Sequence, residues 1–313
     1  DLAHWITQPD HPLTARVAVN LVWQMIFGTG IVETAGDFGN QGSWPSHPEL
    51  LDWLAVDFVN NGWDLRHLIR TILGSETYRQ SAVSTAADLE RDPRNLLLSR
   101  SPRSRLPAEI IRDQALAASG LLNPAVGGPG VHPLQPDGLW RDISHFGHPT
   151  VFTSQHFYPG LGPTQFRRSL YTFWKRTSPP PMLALFDAPT RETCSVIRGR
   201  TNTPLQALVL MNDPQFVQAG VALGQRMIDE GGETIAARLA HGFRLATGRH
   251  PAPQERVLLE NAFSRHHQRY AADPAAAREL TAAPLADEDA TELAAFAMVG
   301  ATLINLDEAI NRP

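Results

Sequence analysis

The sequence predicts a mainly α fold: a multi-helix globular domain with a long irregular middle segment and room for a short β element. Three observations carry this. Apolar residues recur at helical spacing through most of residues 13–80 and 204–305. Proline, serine, threonine or aspartate stands at the head of these stretches, and glycine at the end of several. Residues 123–165, by contrast, show prolines, glycines and isolated aromatics with no period at all. At 42% hydrophobic and 19% charged over 313 residues, the composition is that of a folded chain.

In order along the chain, Leu13 to Phe27 is apolar at helical spacing and stops at Gly28. Glycines make Asp37 to Gly42 a loop. Ser46 followed by Glu49 reads as a capping box opening a helix that ends near Gly62. Asp64 caps the next helix, DLRHLIRTIL. Residues 81–104 are polar and proline-interrupted, a surface connection. Pro107 restarts a helix that runs to Gly120. SLYTFWKRT alternates weakly, as a short strand does, and PPPMLALFD gives one or two helical turns. Helices are then expected at 204–211, 214–229, 233–247, 253–271 and 289–305. This divides the chain into a helical part at 1–80, a linker, helix and irregular middle at 81–203, and a helical part at 204–313, read as one continuous domain.

Several function classes are excluded at this level. Net charge is −5 and the isoelectric point about 6.2, which gives no pull toward nucleic acid. Six arginines between Arg91 and Arg112 lack interleaved aromatics and read as a solvated or ion-paired face. Cys194 is the one cysteine, so there is no internal disulfide, no CxxCH haem attachment and no Cys/His zinc spacing. It is expected to be a free, poorly reactive thiol in a packed junction between helices. The longest apolar run, Leu293 to Ile304, is too short to span a membrane. A start at Asp1 without methionine or signal core reads as a fragment or a processed chain.

One set of motifs occurs here in fixed order: NLVWQMIFGTGIVETAGDFGNQGSWPSHPELLDWLAVDF, LPAEIIRDQALAASG, GGPGV, RRSLYTFWKRT, FDAPT, TPLQALVLMND and FRLATGRHPAPQE. Together they resemble the planctomycete domain of unknown function numbered 1553, over Pro9 to Leu306. The stretch SHFGHPTVFTSQHFYPG departs from that pattern. The resemblance implies an extracytoplasmic bacterial protein, periplasmic or secreted. It also implies haem on a separate upstream cytochrome-c-like domain of full-length relatives, and no cofactor in this chain. It implies no catalytic residues.

Candidate chemistry concentrates in the middle. His145, His148 and His156, near Asp142, are the imidazoles a divalent metal would use, but their spacing matches no established ligand motif, so no metal is expected. Asp37, Ser46 and His47 suggest a hydrolytic set; Ser46 is better employed as a helix cap, and adjacent Ser and His side chains at a helix start are expected to diverge. Glu109, Arg112 and Asp113 fall at i, i+3 and i+4 on one helix face, either an ion-paired face or a poised carboxylate. In TCSVIRGRTNTPLQALVLMND, Thr203, Pro204 and Gln206 form a T-x-x-Q cap, and Asp213 caps the helix after it. Cys194, Arg198, Arg200 and Asn202 have no such employment. An arginine ahead of a helix N-terminus needs an anion; Asp187 of FDAPT is the expected partner of Arg198. The candidate polar site is therefore Asp187, Arg198, Arg200, Asn202, Glu109, Arg112 and Asp113.

Three readings follow. The first is a non-haem binding or assembly module of an exported cytochrome-associated protein, with other domains of that protein as partners. The second is an extracellular carbohydrate-active enzyme domain with an arginine- and carboxylate-lined cleft. The third is a structural scaffold of an envelope complex. None calls for nucleic acid or membrane insertion.

Overall fold

The computed structural model describes residues 1–142 and 156–312. The fold is mainly α. The chain gathers into two compact units: residues 1–104 with 195–197 and 312, and residues 105–194 with 198–311.

The first unit contains α1 (Leu2–Ile6), α2 (Thr14–Phe27), α3 (Pro48–Asn60), α4 (Leu65–Gly74), α5 (Glu76–Arg79) and α6 (Ala86–Arg91). Its core joins Val19, Trp23 and Phe27 of α2 to Leu51, Leu54 and Phe58 of α3 and to Leu68 and Ile72 of α4. Gly28 ends α2 at φ 85°, and buried Asn20 then holds the returning chain by exchanging hydrogen bonds with the Val32 N–H (2.8 Å) and C=O (3.0 Å). Gly30 is required there, since a Cβ would lie 2.6 Å from the Val32 carbonyl oxygen. Asp64 caps α4 as expected, its Oδ1 accepting from the Arg66 N–H at 2.8 Å.

The capping box at Ser46 does not form. Pro48 occupies the first turn and moves the cap to His47, which makes no side-chain cap bond. Ser46 instead donates its N–H (2.8 Å) and Oγ (3.3 Å) to the Ile31 carbonyl.

The second unit contains α7 (Ala108–Ser119), α8 (Leu139–Asp142), α9 (Pro181–Leu185), α10 (Pro204–Asn212), α11 (Pro214–Glu230), α12 (Ile235–Thr247), α13 (Pro253–Ala272), α14 (Pro274–Thr281), α15 (Asp287–Ile304) and α16 (Asp307–Ile310). Phe216, Leu223 and Met227 of α11 form the core with Phe243, Phe263, Phe296 and Leu303. Helices α11 and α15 pack backbone to backbone at their glycines. A Cβ on Gly224 would sit 2.7 Å from the Ala297 nitrogen, and one on Gly300 would sit 2.7 Å from the Gly220 oxygen. Substitution at either position must push the two helices apart.

SLYTFWKRT forms no named strand. It makes a 3-10 turn at Ser169–Tyr171, and isolated parallel bridges join Asn123 to Arg167 and Val131 to Thr172. The described sheet is instead the two-residue pairing of β1 (Ser104–Arg105) with β2 (Asn311–Arg312). Among the described residues no helix is long and apolar enough to cross a membrane.

Candidate functional site

Helix α7 supplies the centre of the polar network in the second unit. Pro107 precedes its first turn, and Gly120 closes it in the left-handed conformation. Arg112 on this helix is 2% exposed. Its guanidinium is satisfied by neutral groups: Nε donates to Gln215 Oε1, Nη1 to the Arg167 carbonyl (2.8 Å) and Ser169 Oγ (3.2 Å), and Nη2 to the Gln165 carbonyl (2.7 Å). Burial pushes its pKa down to about 10, against the attraction of Asp113 and Asp213. It therefore remains a cation at neutral pH.

Asp113 lies 3.7 Å from Arg112, and its Oδ1 accepts from both the Ser169 N–H and the Ser169 hydroxyl at 2.7 Å. Arg112 and Asp113 thus clamp the turn at 165–169 onto α7. Neighbouring Arg167 repeats the pattern one step out. It donates to the carbonyls of Pro129 (3.0 Å), Ala125 (3.1 Å) and Gly127, with its guanidinium 3.8 Å over the Tyr171 ring. The GGPGV and RRSLYTFWKRT motifs meet at this arginine.

Glu109, one turn earlier on α7, does not join Arg112. It takes Arg198, whose Nη1 lies 2.9 and 3.1 Å from its two carboxylate oxygens. The expected Arg198–Asp187 pairing is therefore replaced. Asp187, at φ 61°, turns its Oδ2 onto the N–H (2.6 Å) and hydroxyl (2.8 Å) of Thr201. Gln206, 1% exposed, completes that corner through the Thr201 hydroxyl (3.0 Å) and the Leu185 carbonyl (2.9 Å). The Thr203 N–H reaches Gln206 Oε1 at 3.4 Å, a long form of the expected cap. Asn202 accepts from Arg105, and Arg200 is exposed.

Against this network lies a small cavity lined by Arg112, Asp213, His132, Gln135 and Thr172. His132 is ringed by aromatics, with centroids at 4.8 Å to Phe173, 5.6 Å to Phe157 and 6.0 Å to Trp140. Asp213 caps α11 through the Gln215 N–H (2.9 Å), and burial raises its pKa. Lys175 Nζ sits 4.2 Å over the Trp140 ring.

PSD1, a protein of unknown function (DUF1553), has a family model that matches residues 1–263. The chain belongs to this family. No curated protein and no solved structure matches it. In this DUF1553 chain the family match takes in α7, the 165–169 turn, the cavity and most of α13, and leaves α14 to α16 beyond it.

The other candidates fare differently. His145 and His148 lie outside the described residues. His156 is exposed and stacks on Tyr158 at 6.1 Å. Among the described residues no group of three His, Cys, Asp or Glu is placed to hold a metal. Ser46 and His47 do not diverge: Oγ and Nδ1 are 3.0 Å apart, because the shifted cap frees the Ser46 hydroxyl. Asp37 spends its Oδ1 on the Gly39 N–H. Cys194 is exposed, not packed in a junction, because residues 191–200 run along the surface.

Sequence reasoning missed Arg167, Gln215, His132, Gln135 and Thr172. Only Arg167 left a signal, as one of two adjacent arginines in a motif. The rest acquire partners or a cavity through contacts between distant segments.

Proposed function

We propose that this DUF1553 chain is a non-haem binding or assembly module of an exported bacterial protein, with haem on a separate cytochrome-c-type domain of that protein. The extracytoplasmic location and the cytochrome association rest on the resemblance. The observation that carries the binding reading is the internal use of the polar set. Arg112, Asp113, Glu109, Arg198, Asp187 and Asn202 each bond another part of the second unit. A carbohydrate hydrolase needs two carboxylates facing one cleft, about 5–9.5 Å apart. Asp213 is the one carboxylate among the described residues lining the cavity.

The surface suited to binding is apolar. A groove of about 270 Å³ runs between α10, α11, α14 and α15, lined by Met211, Val217, Val221, Leu280, Met298 and Leu306. Leu205, Leu208 and Met211 of α10 extend the exposed apolar surface. The fitting partner is an apolar segment of another domain of the same exported protein.

The test is titration calorimetry of this chain with the cytochrome-c-type domain produced separately. Binding should weaken at least tenfold with Leu208→Arg or Met211→Arg, both exposed enough to leave the fold intact. No binding by the unaltered chain, or release of reducing sugar from a polysaccharide, would overturn the proposal.

A further inference from the structure

Three residues that line one cavity each carry a side-chain atom without a hydrogen-bond partner among the described residues. His132 Nε2, Gln135 Nε2 and Thr172 Oγ1 are all buried from solvent, make no hydrogen bond among the described residues, and belong to residues that line the cavity beside Arg112. Buried polar groups are satisfied in native proteins by protein or by ordered water, so three orphans sharing one cavity point to a common occupant. Thr172 is 5% exposed.

The backbone holds these groups in fixed positions. Val131 donates to the Tyr171 carbonyl (2.8 Å) and accepts from the Phe173 N–H (2.8 Å), which sets His132 and Thr172 on adjoining segments. Leu134 accepts from Gln215 Nε2 at 2.7 Å, anchoring the chain beside Gln135. The His132 ring is walled by Phe173, Phe157 and Trp140.

Size and donor chemistry identify the occupant. The cavity volume is about 20 Å³, and a water needs about 10–15 Å³ measured this way. Gln135 Nε2 only donates, so the occupant must accept. The Thr172 hydroxyl both donates and accepts, and neutral His132 Nε2 does either, according to tautomer. A cation would face the Gln135 donor and the Arg112 charge. We propose that this cavity is a water-binding site: one resident water accepts from Gln135 Nε2 and bonds Thr172 Oγ1 and His132 Nε2, tying segment 131–135 to segment 171–173. The site joins the stretch that follows GGPGV to the RRSLYTFWKRT motif. It stands independently of the assembly role.

A high-resolution crystal structure tests it, with Thr172→Val and Thr172→Ser alongside the unaltered protein. A density peak within about 2.7–3.2 Å of all three atoms is expected in the unaltered protein and in Thr172→Ser. It should vanish or shift in Thr172→Val, with a lowered Tm. A dry cavity, a direct His132–Thr172 hydrogen bond, or an anomalous peak at the site after a bromide soak would overturn the proposal, the last in favour of an anion. If Thr172→Val fails to fold, the density in the unaltered protein and in Thr172→Ser still decides.

Discussion

Two arginines of the second unit, Arg112 and Arg249, are held by opposite means. Arg249 is partly exposed and forked by two carboxylates: Glu255 at 2.7 Å on both Nη atoms, and Glu308 at 3.0 and 2.8 Å. Those bonds raise its pKa and hold Glu255 down at about 2. Burial lowers the pKa of Arg112, whose donors are satisfied by backbone carbonyls, an amide and a hydroxyl. An exposed arginine can be removed and its carboxylates rehydrate. A buried one, removed, strands several acceptors that water cannot reach. The polar set picked out by the motifs is therefore energetically uneven, and its weight rests on the buried member.

The largest effect should come from Arg112→Ala. It leaves the carbonyls of Arg167 and Gln165 and the Gln215 amide oxygen without their donor, and the expected loss is about 3–5 kcal/mol by chemical denaturation. A loss under about 1 kcal/mol would make Arg112 no more important to the fold than an exposed arginine.

Acid acts on the exposed arginine. Glu255 has a folded pKa of about 2, below the usual 4.5. The stabilisation from Arg249 is thus complete above about pH 4.5 and lost as pH falls toward 2. Glu255→Gln should flatten the stability profile across that window, followed by thermal unfolding at several pH values. An unchanged slope would show that the fork does not persist in solution.

The smallest effect belongs to Arg198, which is 47% exposed and pairs with Glu109. Arg198→Ala should cost about 1 kcal/mol or less. A double-mutant cycle should couple Arg198 to Glu109 and give nearly nothing with Asp187. The reverse would restore the pairing expected from chain proximity.

Much of the fold was legible because it is local. Asp64, Pro107, Gly120 and Gly248 mark helix ends by their own backbone preferences, and α10 to α13 follow the apolar period. Helix α14 escaped because its alanine-rich face buries little besides Ala277 and Thr281. Ser46 misled because Pro48 outranked it in setting the first turn. At the site, the sequence placed Glu109, Arg112 and Asp113 on one helix but could not say which would be buried. The carbonyls that bind Arg112 lie 53 and 55 residues away, and Gln215 lies 103 away. Arg198 likewise reached 89 residues to Glu109 and bypassed the nearer Asp187. Carbonyl acceptors have no sequence signature, since every residue carries one.

Arg112 braces the fold and is not held in reserve for a ligand. Urea unfolding of Arg112→Lys tests it most directly. The charge is kept, but an ammonium cannot donate along the separate Nε, Nη1 and Nη2 directions that the surrounding acceptors occupy. A clearly lower midpoint with an unchanged slope is expected. A midpoint equal to that of the unaltered protein would contradict it, leaving Arg112 as a charge the fold does not need.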